Sequence, residues 1–244
     1  MSMKAKILEL LREKGTYVSG QELCEQFGVS RTAVWKAIGQ LKKEGYVIEA
    51  VQNKGYHLVD QAEEVYNQAD IQSRLKTKWV GHPLLFFDSI DSTNIRAKLE
   101  AEQGAESGLL VVADQQTAGR GRRGRTFVSP PGGLYFSVIL RPHAKPEALM
   151  HLTAMVAVAA ARAVFAVSGV YPDIKWTNDL VLGGKKLCGI LTEIGIEAES
   201  REVDYAVVGI GINCEQVELP PEVSAMSISL EAFTGQRPDR ARLA

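Results

Sequence analysis

The sequence contains few of the residues that mark secreted or zinc-binding proteins. Its three cysteines, Cys24, Cys188 and Cys214, lie far apart and form no C-x-x-C pair, and its four histidines are equally scattered. An odd, dispersed set of cysteines argues against a disulfide framework and against a zinc site. Reduced thiols are typical of cytoplasmic proteins, so we expect a cytoplasmic location.

An excess of charge of one sign and a clear membrane-spanning segment are lacking too. The 28 basic and 29 acidic side chains leave a net charge of −1, so any binding to nucleic acid must be local. No signal peptide precedes Lys4. The longest apolar segment, residues 150–167, is rich in alanine and carries Arg162, which indicates a buried helix and no membrane association.

The first sixty residues carry helical patterns followed by two short strand patterns. Ser19 and Ser30 each stand where an N-cap begins a helix, and the two helices are joined by a tight turn. Strands are expected over 46–51 and 55–59, with turn-forming residues between them. This order predicts a winged helix-turn-helix domain over residues 1–62.

The third predicted helix has the features of a DNA-recognition helix. Its apolar residues mark one face and leave basic and polar residues on the other. We expect Arg31, Thr32 and Lys36 to approach base edges or phosphates, and Lys54 to approach the DNA backbone beside the wing. Such a module reads little sequence alone, so a repressor of this type should bind as a dimer on two half-sites.

An alternative interpretation of the same region is a small helical packing domain whose surface is charged. Between residues 31 and 56, however, five basic residues face only two glutamates, and the wing and the caps agree with DNA binding. Trp35 is expected to be wedged at the edge of the small core. Residues 63–80 are expected to form a linker with a short helix, followed by a second domain over 81–244.

A loop of arginine and glycine lies in the middle of the chain. Residues 119–125 read Gly-Arg-Gly-Arg-Arg-Gly-Arg and separate two apolar runs, 109–113 and 134–140. Glycines weaken a helix interior and let the backbone approach a ligand, while guanidinium groups bind carboxylate or phosphate. An acidic or phosphorylated small molecule fits this loop. A solvated basic loop and a nucleic-acid contact are the alternatives.

Polar residues also stand next to three other predicted strands. Ser92 and Thr93 lie before a helix, where they either cap it or bind a small polar group. Residues 174–180 form a short strand and a polar turn, which is either an ordinary turn or a site for a metal ion or nucleotide hydroxyls. Lys186 precedes an apolar strand that contains Gly189, and we expect a buried cation that faces a pocket.

Read together, these motifs resemble the ordered motif set of biotin protein ligases. The stretches that carry the resemblance are residues 91–94, 116–125, 175–179, 184–193 and 209–213. With the winged helix in front, the chain resembles the bifunctional type, which is a ligase and a biotin operon repressor in one polypeptide. The resemblance implies an α+β fold in which the winged helix-turn-helix precedes a mixed-sheet catalytic domain of the biotin/lipoate ligase type.

The resemblance also implies a two-step reaction. Biotin and Mg-ATP give biotinyl-5′-AMP and pyrophosphate, and the acyl group then passes to a lysine of biotin carboxyl carrier protein. Biotinyl-5′-AMP would act as corepressor, order the arginine/glycine loop, promote a homodimer and strengthen binding to operator DNA. Such chemistry needs positioning and cations that offset the negative charge of two meeting anions.

Residue roles follow from the same resemblance. Biotin would be bound by Ser92, Thr93, Asn94, Gln116, Gly119, Arg120, Gly121, Arg122, Lys186 and Gly189. The nucleotide would be bound by Arg122, Arg125, Lys175, Trp176, Asn178, Asp179 and Asn213. Arg122, Lys186 and Asp179 would be catalytic, and Asp179 would also hold Mg²⁺.

Two departures from the family's pattern stand out. Thr177 occupies a position where the family usually has proline, which is expected to loosen the turn that aims Asn178 and Asp179. The family continues into a C-terminal SH3-like barrel, which resembles a domain that helps with ATP and carrier-protein binding, and we expect that barrel to be missing here. A biotin-sensing transcription factor without catalysis is therefore one alternative function, and a lipoate or octanoate ligase is another.

Overall fold

The computed structural model describes residues 1–59, 65–142 and 144–244. The chain divides into two compact units, Met1–Lys76 and Thr77–Ala244. The boundary between them lies within the range 63–80 that we expected to be a linker. Residues 60–64 of the expected domain boundary lie outside the described residues.

The first unit contains four helices and one hairpin among its described residues. They are α1 (Met3–Lys14), α2 (Gly20–Phe27), α3 (Arg31–Lys43), β1 (Ile48–Val51), β2 (Gly55–Leu58) and α4 (Gln68–Arg74). The side chains of Ser2, Ser19 and Ser30 each accept a backbone hydrogen bond in the first turn of the helix that follows. The hairpin is antiparallel and forms the wing. These elements confirm the winged helix-turn-helix fold.

Helix α4 is fastened to the rest of the first unit by a buried acid. Asp70 is 2% exposed, and its carboxylate forms ion pairs with Arg12 of α1 and with Arg74 one turn later. The hydroxyl of Tyr46 also donates to Asp70 at 3.3 Å. A buried charge is tolerated only when it is paired, so this cluster holds α4 against the three-helix core.

The second unit is built on a mixed sheet of seven strands. Its elements are β3 (Leu84–Ile90), α5 (Thr93–Glu102), β4 (Leu110–Gln116), β5 (Leu134–Leu140), α6 (Leu152–Ser168), β6 (Asp173–Lys175), β7 (Asp179–Leu182), β8 (Lys185–Ile196), β9 (Val203–Ile212), α7 (Pro221–Met226), α8 (Leu230–Thr234) and α9 (Arg240–Leu243). The strand order is β3-β4-β5-β9-β8-β7-β6, and only the β3–β4 pair is parallel. The expected α+β fold is confirmed.

The two long helices of this unit lie on opposite faces of the sheet. Helix α5 packs its alanines against Val111 and Val207, whereas the hydroxyl of Thr153 in α6 meets that of Thr192 in β8 at 2.9 Å. Thr192 pairs with Val208, the neighbour of Val207, and successive residues of a strand point to opposite faces. The face under α5 therefore also carries the glycines at 209 and 211.

Helix α6 is less buried than its composition indicates. Only Ala157, Ala160, Ala161 and Val164 are buried, while Met155 and Phe165 are 67% and 52% exposed. The expectation of a buried helix is thus wrong for its outer side, because the alanine stripe alone suffices to pack on the sheet. Residues Pro146–Ser168 are long and apolar enough to cross a bilayer by length and composition alone.

Candidate active site

The arginine/glycine loop is a closed turn that lies between β4 and β5. Backbone hydrogen bonds join Gly121 to Arg125 at 2.7 Å and Phe127 to Gly119 at 2.9 Å. Gly119 has no room for a side chain, since a Cβ there would lie 2.3 Å from the carbonyl oxygen of Phe127. Arg123 adopts a left-handed φ of 56° at the tip. The loop confirms the predicted irregular structure and presents its arginines outward from a narrow base.

Two hydroxyls at the start of α5 face a cavity and do not act as ordinary caps. Ser92 is the N-cap residue, yet its side chain makes no capping hydrogen bond. The backbone N–H of Thr93 donates instead to Oε1 of Gln116 at 2.9 Å. Ser92 and Thr93 are 1% and 4% exposed, so their polar groups are available only to a molecule inside the cavity.

This first cavity contains most of the residues that we expected to bind biotin. Its walls are formed by Ser92, Thr93, Asn94, Gln116, Arg120, Gly121, Arg122, Phe127, Asn178, Lys186, Gly189, Ile190, Leu191, Gly209, Ile210 and Gly211. They come from the start of α5, the end of β4, the arginine/glycine loop and the residues just after it, the turn before β7, and the central strands β8 and β9. Polar groups at one end and aliphatic strand residues elsewhere suit a ligand with a polar head and an apolar body.

Strand glycines provide the floor of the cavity. Gly189 and Gly211 are paired across β8 and β9, and a Cβ on either would lie within 3.0 Å of the Phe127 ring. The Phe127 ring therefore packs on a platform that only glycines allow. The group that closely approaches Gly189 is therefore an aromatic side chain of the protein itself.

Asn94 supports the cavity from below. A Cβ on Gly209 would lie 1.9 Å from Oδ1 of Asn94, so the missing side chain makes room for this amide. The amide nitrogen donates to Oε2 of Glu193 at 2.9 Å, and Oδ1 accepts from Ser137 at 2.7 Å. Because its amide is engaged on both sides, Asn94 lines the cavity without offering a free polar group.

Arg122, Asp179 and Lys186 come together from three segments of the chain. Nη1 of Arg122 donates to Oδ1 of Asn178 at 2.8 Å and to the hydroxyl of Thr177 at 3.3 Å. Nζ of Lys186 lies 2.7 Å from Oδ1 of Asp179. Thr177 thus gives the arginine a side-chain hydrogen-bond partner, which a proline side chain at this position would not provide.

A β-bulge aims Lys186 at the cavity. Residues 186 and 189 are three apart and would point to opposite faces of a regular strand. The β7–β8 register shifts between Leu180 and Val181, and the side chain of Lys186 lies 3.1 Å from the Cβ position of Gly189. Lys186 is 36% exposed in its side chain, so it faces the cavity as expected, but the expectation of a buried cation is wrong.

A second cavity of about 520 Å³ adjoins the first. Its walls include Arg125, Lys175, Asp179, Lys185, Lys186 and Asn213, together with residues from the segment 219–227. Phe127 and Lys186 line both cavities. The ammonium group of Lys186 therefore lies at the junction of the two cavities. It can contact a ligand group in the first cavity and a ligand group in the second.

Three of the residues expected to bind the nucleotide, Arg122, Trp176 and Asn178, are absent from the walls of the second cavity, and Arg122 and Asn178 line the first cavity instead. Trp176 is 74% exposed and is absent from the walls of both cavities. Asn213 lines the second cavity, but its amide donates to the carbonyls of Lys186 and Ile228, both at 3.3 Å. In this structure, Asn213 therefore connects β8 to the following segment.

A surface of the first unit carries the residues expected to contact DNA. Arg31, Thr32, Lys36 and Lys54 are all exposed, and Nζ of Lys54 lies over the Tyr17 ring at 5.7 Å. Trp35 is 68% exposed. The expectation that it is wedged at the edge of the small core is wrong, because position 35 follows the buried Val34 and turns away from the core.

Comparison with known proteins gives the family. Residues 86–213 match the model of the biotin/lipoate A/B protein ligase family, and residues 4–57 match that of an HTH domain. The chain is 41% identical to the bifunctional ligase/repressor BirA of Bacillus spizizenii over 98% of its length, and 40% identical to that of Bacillus subtilis. The chain belongs to the biotin/lipoate A/B protein ligase family. It spans 74% of each Bacillus protein.

A solved structure agrees with this assignment. The biotin protein ligase of Aquifex aeolicus in complex with biotin and ATP aligns with a TM-score of 0.56 at 34% identity. The alignment covers 66% of this chain and 64% of that one. The family match over 86–213 contains the loop, the cavity floor and the Lys186 junction.

Sequence reasoning missed several residues of the family site. Phe127, Ser137, Gly211 and Glu193 all line or support the first cavity. The signal for Phe127 was present in the strand glycines, which leave a space that a neighbouring segment has to fill.

Proposed function

We propose that the protein activates biotin with ATP to form biotinyl-5′-AMP and transfers the acyl group to a lysine of biotin carboxyl carrier protein. Its class is that of a biotin protein ligase joined to a DNA-binding repressor domain. The single observation that carries the chemistry is the position of Lys186 at the junction of two cavities, beside Arg122 and Asp179.

The first step brings two anions together. The biotin carboxylate attacks the α-phosphorus of ATP and pyrophosphate leaves, so negative charge concentrates where the acyl and nucleotide cavities meet. We assign Lys186 and Arg122 to offset that charge, which is the largest contribution that a protein makes to phosphoryl chemistry. Ser92, Thr93 and Gln116 fix the ureido head at the far end and thereby place the carboxylate beside Lys186.

Asp179 fits a role in holding Mg²⁺. Its Oδ1 accepts from Lys186 and Asn178, and among the described residues no protein hydrogen bond is made by Oδ2. Mg²⁺ in nucleotide sites is commonly held by one or two carboxylates plus substrate phosphates, and the described residues offer no larger acidic cluster. When bound, the ion would neutralise charge on the pyrophosphate leaving group.

In the second step the carrier lysine attacks the acyl carbonyl and AMP leaves. The protein's part is to hold the mixed anhydride until the carrier arrives. Arg122, which reaches across to Asn178, keeps the loop over the junction and restricts the access of water and of other amines. Arg125 and Lys175 in the second cavity would bind the phosphate and ribose of the nucleotide.

The repressor function is assigned to the first unit. We propose that biotinyl-5′-AMP is the corepressor, that it orders the arginine/glycine loop and promotes a homodimer, and that the dimer binds operator DNA through Arg31, Thr32, Lys36 and Lys54. A loop with four like charges gains stability when an anion binds, because the anion offsets their repulsion. A dimerisation constant that is unchanged by biotin plus ATP in sedimentation would contradict this.

We propose a cytoplasmic location without membrane association. Helix α6 bonds to the sheet through Thr153 and packs its alanine stripe on that sheet, as a helix that covers one face of an α+β domain does. The three cysteines form no disulfide among the described residues, in agreement with a reducing compartment.

The mass of a carrier domain tests the proposed activity. We expect incubation with this chain, biotin and Mg-ATP to add one biotinyl group to one lysine. Omission of ATP is the control for activation, and lipoate in place of biotin is the control for substrate class. Modification with lipoate alone would identify a lipoate ligase. Biotin binding without pyrophosphate release would identify a sensor that lacks catalysis.

A further inference from the structure

A continuous chain of hydrogen bonds runs beneath the first cavity. Oε2 of Glu193 accepts from the amide of Asn94 at 2.9 Å, and Oδ1 of Asn94 accepts from Ser137 at 2.7 Å. The Ser137 hydroxyl lies 2.8 Å from that of Thr93. The Thr93 hydroxyl in turn lies 3.1 Å from Oε1 of Gln116. The chain therefore connects an acid on β8 to two residues of the biotin cavity.

The acid end of this chain fixes the orientation of the Asn94 amide. Two groups face Nδ2 of Asn94, the carboxylate of Glu193 and the carbonyl of Leu191 at 3.3 Å, and both only accept. The amide nitrogen must point to them, which leaves Oδ1 toward Ser137. Since Oδ1 only accepts, the single hydroxyl proton of Ser137 must point to Asn94.

The same reasoning continues to the cavity. Because the Ser137 proton is committed, the Ser137 oxygen cannot donate to Thr93. The Thr93 proton then points to Ser137 or to Gln116, whose Oε1 is already oriented by the backbone N–H of Thr93 at 2.9 Å. With its proton used inside the protein, the Thr93 hydroxyl offers the cavity only lone pairs. A ureido N–H is the complementary ligand group.

The surroundings of Glu193 keep its side chain ionised, and an ionised carboxylate only accepts hydrogen bonds. Burial by itself raises the pKa of its carboxyl group. Hydrogen bonds from Asn94 and Lys98, with the charges of Lys98 and Arg120, outweigh that effect and hold the pKa below its usual value. The distances are 3.2 Å to Nζ of Lys98 and 3.8 Å to Nη1 of Arg120.

We propose that Glu193 is a positioning residue for biotin, which acts through Asn94 and Ser137 to make Thr93 an acceptor for a ureido N–H. This inference rests on the proposed function, since the ligand is biotin. Glu193 touches no substrate itself. Its second contact, with Arg120, steadies the end of the arginine/glycine loop but is half exposed and therefore weak.

A purely structural ion pair with Lys98 is the competing explanation. The two explanations differ in which substitutions matter. Lys98→Met removes the ion pair but leaves an acceptor facing Asn94, so biotin affinity should change by less than about threefold. Glu193→Gln can present an NH₂ group to Asn94 and allow the amide to reverse, so affinity should fall about tenfold or more.

The experiment is calorimetry of biotin with the full chain in the absence of ATP. The variants are Glu193→Gln, Lys98→Met, Ser137→Ala and the double variant Glu193→Gln/Ser137→Ala. Glu199→Gln, an exposed glutamate in the turn after β8, is the matched control. If Glu193 acts through Ser137, Glu193→Gln should lower biotin affinity by less than about threefold in the Ser137→Ala background, although it lowers this affinity much more in the wild-type background.

Steady-state pyrophosphate release supplies a second readout. The KM for biotin should rise in Glu193→Gln, while kcat at saturating biotin and the KM for ATP stay within about twofold. A merely structural role would lower kcat, the ATP KM and the melting temperature together. Full additivity in the double variant, or wild-type affinity in Glu193→Gln, overturns the proposal.

The wild-type protein separates this inference from the proposed function. If the wild-type chain gives no heat with biotin, the proposed function fails. If wild type binds biotin and Glu193→Gln binds it equally well, only the inference fails. Should Glu193→Gln not fold, Ser137→Ala decides, because this substitution breaks the same chain of hydrogen bonds. Unchanged biotin affinity in Ser137→Ala would overturn the proposal.

Discussion

Nζ of Lys186 lies 2.7 Å from Oδ1 of Asp179, across the β7–β8 pair and next to the bulge in that pair. The ion pair holds the ammonium at the junction of the two cavities. A phosphate that enters the second cavity meets a cation already in place. The arrangement is pre-organised, so little free energy is lost to reorganisation when charge develops.

Lys186→Met tests the charge at this junction. Removal of the ammonium should slow single-turnover pyrophosphate release by about 100-fold or more, because a fixed charge in the transition state is lost. Biotin affinity without ATP should fall much less, since the polar head is bound at the other end. Lys145→Met, an exposed lysine before the turn that precedes α6, serves as control. An equal loss in binding and in rate would contradict the assignment.

Arg122→Gly tests retention of the adenylate. The variant loses a charge-assisted hydrogen bond to Asn178 of 2.8 Å, and we expect biotinyl-5′-AMP to leave about 10- to 100-fold faster. A filter assay with labelled biotinyl-5′-AMP measures the rate of its release. The amount of biotin on bystander lysines measures the escape of the activated acyl group. The neighbouring Arg123→Gly is the control, because its φ of 56° suits glycine. Equal retention by both variants would show that another arginine holds the ligand.

Gly211→Ala tests the glycine platform. A methyl group there would lie 2.6 Å from the Phe127 ring, so the ring must move and the cavity floor is lost. We expect the free energy of unfolding to fall by about 1–3 kcal/mol and biotin affinity to fall with it. Gly39→Ala adds a methyl group in α3, where nothing lies within 4 Å, and should leave biotin affinity unchanged. A stable Gly211→Ala variant with wild-type affinity would refute the platform.

Lys36→Ala tests the DNA surface. If Lys36 contacts a phosphate, operator affinity should fall and the slope of log K against log salt should decrease in magnitude by about 0.9. Fluorescence anisotropy over a salt series measures both. Lys6→Ala, an exposed lysine on α1, is the matched control. The same slope for Lys36→Ala and wild type would remove Lys36 from the phosphate contacts.

The thiols give a chemical test of the core. Burial raises the pKa of Cys188 to about 12, partly offset by the charge of Lys186. Since the thiolate is the reactive form, Cys188 should not react with a disulfide reagent at pH 8 in the native protein. Cys214 is also buried, whereas Cys24 is only partly buried. One thiol should react before unfolding and three after it, and a fast reaction at Cys188 in the native state would argue against this core.

Local signals in the sequence were sufficient for much of the fold. The serines at 19 and 30 cap α2 and α3 as expected, because a cap is made with the next turn of the same helix. The prediction for Trp35 was wrong. A residue next to the buried face of a helix is buried or exposed according to a small rotation of that helix about its axis, and the sequence does not fix this rotation. Ser92 was expected either to cap its helix or to bind a small polar group. Only the fold decides between the two, because it brings Oε1 of Gln116 to the N–H of Thr93 and leaves the Ser92 hydroxyl without a capping bond.

The sequence by itself determined the order of elements, the arginine/glycine loop and the motifs that give the family, because each depends on residues near one another in the chain. The tertiary structure alone decided that Lys186 faces Gly189, that Phe127 lies on paired glycines and that Glu193 supports Thr93. A single-residue bulge sets the first of these relationships, and strand register and helix placement set the others. They arise between segments up to about a hundred residues apart, and spacing along the chain carries no information about such distances.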